Sequence, residues 1–152
     1  GFGIEGSHCY VKGFNLMFEE ESILDVRDLP RKMPHDLENA QAAVLLAKKF
    51  GADIGSCVET LQSFKGLEHR VELVAERNEV SFINDSKSTT PHSSVSALRG
   101  LPGAILIAGG RNKGLDLSPL KESKPHAVIA IGEAAEEIEN FLTKINSENS
   151  LQ

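Results

Sequence analysis

A basic excess is missing from this sequence. Its 16 Lys and Arg are outnumbered by 22 Asp and Glu, for a net charge of −6. That balance excludes a general nucleic-acid or polyanion binder. Long apolar runs are missing too, and none approaches the ~20 residues that a bilayer-spanning helix needs. The opening "GFGIEGSHCY" has neither a basic n-region nor an apolar core, so no signal peptide is read there. It also lacks an initiator Met, and an excised piece is expected. Cysteine is scarce. Cys9 and Cys57 stand far apart without metal-ligand spacing, which points to reduced structural thiols in a cytosolic protein. Neither an internal repeat nor a low-complexity segment is found. What remains is an ordinary globular composition, 152 residues with 40% hydrophobic and 25% charged. Such a length suits one domain, or one domain plus part of another.

Two regions differ in pattern. From Cys9 to Val26 the chain reads as an extended meander, "CYVKGFNLMFE" followed by "SILDV", ending where Pro30 and Pro34 stop regular structure. "HDLENAQAAVLLAKKFG" has apolar residues at helical spacing and Gly51 as a C-cap. "DIGSCVETLQSFKG" predicts a second helix, begun by Asp53 as N-cap and stopped by Gly66. After Gly66, "RVELVAE" and "VSFIND" read as a hairpin or close pair. A helix through "SSVSALRG", the strand "GAILIAGG", a short helical "LSPLKES", the strand "HAVIAIG" and the helix "EAAEEIENFLTKI" follow. Short apolar strands alternating with helices predict an α/β fold, a Rossmann-like, doubly wound and mainly parallel sheet.

Ligands of such sheets collect at the carboxyl ends of the strands. Three polar or glycine-rich loops fall there: "NDSKSTT", "GGRNKG" and "GEAAEE". Asp85 and Lys87 in the first and Lys113 in the second make an anion-binding crevice the favoured reading, because lysines clamp phosphate or carboxylate. A plainer alternative stands beside it. "STTPHSS" has the composition of a helix N-terminus with Pro91 in its first turn, and two glycines suffice for a tight turn. Neither a G-x-G-x-x-G fingerprint nor a G-x-x-x-x-G-K-[ST] phosphate loop occurs.

"GLEHRVELV", "FINDSKSTT" and "LIAGGRNKG", in that order, resemble the C-terminal domain of the Mur ligases, and the "NDSKST" string resembles their D-glutamate-adding branch. "MPHDLENAQAA" is similar to the family's His-Asn-x-x-Asn motif and the helix after it. The resemblance implies that residues 1–66 are the end of the central ATP-binding domain and 67–152 most of the C-terminal domain. It implies a cytoplasmic, ATP- and Mg²⁺-dependent ligase of peptidoglycan precursor synthesis, acting on ATP, D-glutamate and UDP-N-acetylmuramoyl-L-alanine. An acyl phosphate forms on the acceptor carboxylate and the amino acid's amine displaces phosphate.

In that scheme Lys87 is catalytic, meeting the terminal phosphate or the acyl phosphate. Arg70 contacts nucleotide phosphates, Asp85 the ribose hydroxyls and Asn39 the adenine edge. His69 belongs with the ATP contacts, with ordering of the linker as its alternative. Thr89 and Lys113 bind the D-glutamate carboxylates. No metal ligand is assigned within the chain, because the family's phosphate loop, its metal-holding residues and its modified lysine lie upstream. This chain alone is therefore expected to be inactive.

Asp36 stands where the family has Asn, and Pro34 where it has Gly. No role is assigned to His92. A folylpolyglutamate-synthase-type ligase and a non-catalytic Rossmann-like module that binds an anion or a partner protein are the alternative readings. Leu45, Leu46 and Leu61 are expected to be exposed, or covered by a second copy of the chain, if their helices have lost the sheet they were meant to cover.

Overall fold

The computed structural model describes residues 1–111, 114–123 and 125–149. The chain divides into two compact units, Gly1–Glu68 and His69–Gln152.

In the first unit the meander is an antiparallel sheet of three strands, β1 (Cys9–Lys12), β2 (Asn15–Phe18) and β3 (Glu21–Asp25), in the order β1-β2-β3. Tyr10 pairs with Met17 and Leu16 with Leu24. Gly13 falls in the turn between β1 and β2. A 3-10 turn over Val26–Asp28 leads to α1 (Pro34–Lys49) and α2 (Ile54–Ser63). Pro34 begins α1 rather than stopping structure. The first helical position needs no N–H donor, and the fixed φ of proline suits it. At the other end, Lys48 and Lys49 lie in the last turn, where cations favour the helix dipole. Asp53 caps α2 by accepting from the Ser56 N–H at 2.9 Å. The Ser56 hydroxyl, then that N–H, hold its carboxyl below the usual carboxylate range.

Alternation along the strands and helical spacing on α1 and α2 deliver one core: Cys9, Leu16, Leu24, Val26, Leu29, Val44 and Cys57. Leu45 and Leu61 pack against it, whereas Leu46 is exposed. The expectation that all three leucines lack cover thus holds for Leu46 alone, because both helices lie on the three-stranded sheet. An open, mostly apolar cavity of about 180 Å³ is lined by Val44, Ala47, Ala52, Cys57 and Leu61.

The second unit starts with an antiparallel hairpin, β4 (Glu72–Arg77) and β5 (Val80–Asn84). Its turn residues Asn78 and Glu79 both have positive φ, 52° and 63°, the handedness that matches the twist of paired strands. Next come α3 (Pro91–Leu98), β6 (Ile105–Gly109), a 3-10 helix over Ser118–Glu122, β7 (Ala127–Ile131) and α4 (Ala135–Asn149). Strands β6 and β7 pair in parallel, Ile107 beside Ile129 and Gly109 beside Ile131. The fold is mixed α/β. Among the described residues of the second unit the parallel strand pair is β6–β7, and the β4–β5 pair is antiparallel.

One face of the parallel pair, with Leu106, Ala108 and Val128, meets Leu120, Ile138 and Leu142. Ile105, Ile107, Ile129 and Ile131 on the opposite face are exposed. Among the described residues no helix is long and apolar enough to cross a membrane.

Leu16 is 1% exposed at the centre of the first unit's core. Leu16→Ala should destabilise that unit by about 2–5 kcal/mol, combining lost transfer energy with a residual cavity. Urea unfolding followed by circular dichroism measures this, and an unshifted midpoint would contradict the packing described. Cys9 is wholly buried, and desolvation pushes its thiol up to about 11. It should resist iodoacetamide at pH 8 in the folded chain and react once urea unfolds it. Rapid alkylation of native Cys9 would mean that the core opens readily.

Candidate functional site

The polar burst after β5 is first of all a self-satisfied knot. Asp85 sits just past the strand, and its two carboxylate oxygens diverge. Oδ1 accepts from the Val71 N–H at 3.0 Å, and Oδ2 accepts from the Ser88 hydroxyl. The Ser88 N–H donates to the Asp85 carbonyl at 2.8 Å, and the Lys87 N–H donates to the His69 carbonyl at 3.1 Å. Asn84 adds two links. Its Nδ2 lies 2.9 Å from His69 Nδ1, and its Oδ1 accepts from the Ser86 N–H at 3.1 Å. The loop after β5 is therefore stitched to the segment that enters β4.

Those bonds hold an unfavourable backbone. His69 and Val71 have φ of 63° and 47°, in the left-handed region that a β-branched residue avoids. Arg70 lies between them. Glu72 helps by accepting from the His69 N–H at 2.8 Å.

Further along, the plainer reading of "STTPHSS" is realised as well. Thr90 is the N-cap of α3, its hydroxyl accepting from the Ser93 N–H while the Ser93 hydroxyl accepts from the Thr90 N–H, both at 3.3 Å. Pro91 occupies the first helical position. Ser88 braces and Thr90 caps, while Ser86, Lys87 and Thr89 are exposed. Lys87 forms no ion pair with another described residue.

Parallel register carries the chain out of β6 and β7 at the same end of the sheet. Arg111 and Glu133 meet there in a bidentate pair, Nε to Oε2 at 3.0 Å and Nη2 to Oε1 at 3.2 Å. Asp116, in the chain after β6, has its carboxyl held below the usual range by the Ser118 hydroxyl, then the Ser118 N–H, with smaller help from His92 and Lys121. His92 thus lies within electrostatic reach of Asp116.

Of the residues expected at a site, His69, Arg70, Asp85, Lys87 and Thr89 are brought together on one stitched loop pair. Asn39 is exposed on α1, in the other unit. Lys113 lies outside the described residues. Near Asn39, Asp36 accepts from Arg31 Nε at 2.9 Å and from the Met33 N–H at 3.3 Å. The Arg31 and Asp36 side chains are only 16% and 10% exposed. A carboxylate rather than an amide at position 36 therefore has a local partner. Reasoning from the sequence missed the bracing roles of Asn84 and Ser88. The Asx-turn spacing from Asn84 to Ser86 was the available signal.

An ATP site fits this loop chemically. Asp85 uses one acceptor position on each oxygen, leaving others for hydroxyl donors, and the Lys87 ammonium is open to an anion. Among the described residues no group of three or more His, Cys, Asp or Glu is placed to hold a metal.

No family model matches the chain. By sequence it is similar to a segment of amino-acid ligases. Those relatives are UDP-N-acetylmuramoylalanine–D-glutamate ligases. The protein of that name from Caldanaerobacter subterraneus subsp. tengcongensis is 37% identical over 140 residues, covering 90% of this chain and 31% of the relative. The one from Elusimicrobium minutum is 40% identical over 144 residues, 90% of this chain and 31% of the relative. The one from Aquifex aeolicus is 32% identical over 154 residues, 96% of this chain and 37% of the relative. The chain spans about a third of the length of these curated relatives and fits a piece of such a ligase.

Asp85→Ala removes the acceptor that holds the Val71 N–H. Amide exchange at Val71, followed by NMR, should quicken roughly twofold to tenfold, the value of one ordinary hydrogen bond. Unchanged protection at Val71 would show that the carboxylate does not brace the loop.

Proposed function

We propose that this chain is part of an ATP-dependent ligase that joins D-glutamate to UDP-N-acetylmuramoyl-L-alanine in peptidoglycan precursor synthesis, in the cytoplasm. The observation that supports it best is the similarity of nine-tenths of the chain to ligases bearing that name. We assign residues 1–66 to the end of a central ATP-binding domain and 67–152 to a C-terminal domain. That second domain is read as a doubly wound, mainly parallel sheet, a reading supported by the parallel β6–β7 pair with α4 on one face.

The chemistry follows from charge. Transfer of a phosphoryl group to a carboxylate, and attack by an amine on the product, both build up charge on phosphoryl oxygens. Lys87, exposed on a hydrogen-bonded loop, supplies a cation there. Asp85 takes the ribose hydroxyls on its remaining lone pairs while its bonds to Val71 and Ser88 keep it in place. Arg70 and His69 serve the nucleotide, Asn39 the adenine edge, and Thr89 and Lys113 the carboxylates of D-glutamate. Mg²⁺, held by residues outside this chain, completes the charge balance on the nucleotide.

The test is phosphate release by the full-length protein supplied with ATP, Mg²⁺ and UDP-N-acetylmuramoyl-L-alanine. Release should require D-glutamate. Release instead with L-glutamate and a folate acceptor would favour the folylpolyglutamate-type reading. No release with either leaves the non-catalytic module.

Lys87→Ala in the full-length ligase should lower turnover about 10²–10³-fold, the usual cost of removing one donor to a developing anion. Near-normal turnover would remove Lys87 from the mechanism. Lys113→Ala should raise KM for D-glutamate roughly tenfold to a hundredfold and leave KM for ATP nearly unchanged. The reverse pattern would exchange the ligands of the two loops.

A further inference from the structure

We propose that Arg111 is a positioning residue for the amino-acid substrate: its paired hydrogen bonds to Glu133 fasten the start of the chain leaving β6 to the loop leaving β7. The proposal rests on the ligase reading, which assigns the loop after β6 to D-glutamate.

Up to Gly110 the backbone does the fixing. The Gly110 N–H donates to the Ile131 carbonyl at 3.3 Å, and the Ala134 N–H donates to the Gly110 carbonyl at 2.9 Å. The approach is close enough that a Cβ on Gly109 would collide with the Ile131 carbonyl oxygen. Gly132 has a φ of 72°, and a Cβ there would lie 3.1 Å from the Gly110 nitrogen. Both glycines are required by this crossing.

Past Gly110 the fastening passes to side chains. Arg111 and Glu133 offer a planar fork to a planar carboxylate at 3.0 and 3.2 Å, a geometry that sets orientation as well as distance. Lys113 follows two residues later in the sequence. The pair also has an electrostatic consequence. With Arg111 in place, Glu133 is neutralised. Without it, a bare carboxylate stands at the sheet edge where a dicarboxylate substrate must arrive, and like charges repel.

Steady-state kinetics of the full-length ligase test this with D-glutamate and ATP varied separately. Arg111→Ala should raise KM for D-glutamate about twofold to fivefold, the modest scale expected of an exposed ion pair. Turnover and KM for ATP should stay within twofold of the parent, since the ligase reading assigns the nucleotide to the loop after β5 and not to this pair. Arg111→Glu should raise KM for D-glutamate further. The exchanged double variant Arg111→Glu with Glu133→Arg should bring it most of the way back, which a general loss of folding would not do. An unchanged KM for D-glutamate in Arg111→Ala overturns the proposal, as does failure of the exchanged pair to recover. If the parent enzyme shows no D-glutamate-dependent phosphate release, the ligase reading falls and takes this proposal with it.

Discussion

The candidate site depends on what Asp85 does with its two oxygens. One reaches back to the Val71 N–H and the other forward to Ser88, so a single carboxylate joins the segment before β4 to the loop after β5. Without that link, His69 and Val71 would have little reason to stay at positive φ, a conformation costing of order 1–3 kcal/mol each. The strain is offset by several short bonds made by Asp85, Asn84, Glu72 and the Lys87 N–H. What results is a loop whose backbone is braced by hydrogen bonds, with Lys87 and Thr89 exposed. Such a division suits anion recognition, where fixed geometry does more than numbers of charges.

The edge at β6 and β7 solves a different problem. Parallel strands leave a sheet side by side, and their loops must either separate or be fastened. Here small residues allow the backbones to touch, and an Arg–Glu pair continues the fastening outward. Glycine at 109 and 132 is thus a packing requirement of this crossing, which a search for nucleotide-binding glycine motifs does not detect.

Burial differs between the two units. In the first, a three-stranded sheet and two helices enclose Leu16, Val44 and the two thiols in one continuous core. Among the described residues of the second, the buried set is Val95, Ala97, Leu120, Ala134 and Ile138, while four isoleucines line an exposed face of β6 and β7. Alternation along those strands is strict, so the same pattern that sends Leu106 and Val128 towards α4 sends the isoleucines outward.

The elements themselves were legible in the sequence because their causes are local. Apolar spacing located the helices, Asp53 and Pro91 located two helix starts, and short apolar runs located the strands. The resemblance carried by "FINDSKSTT" and "LIAGGRNKG" was legible for the same reason, being a matter of residue order. Pro34 was misjudged since a proline reads alike as a stop or as a first helical residue, and the following turn decides. The β4–β5 hairpin and the parallel sense of the later strands were legible as well, but their register and side-chain partners were not. That Gly109 stands beside Ile131, that Asp85 spends a lone pair on Val71 and that Arg111 meets Glu133 are contacts between residues distant in sequence. Composition and periodicity specify which residues want partners. Only the folded chain, by bringing the strand ends together, decides which partners they find.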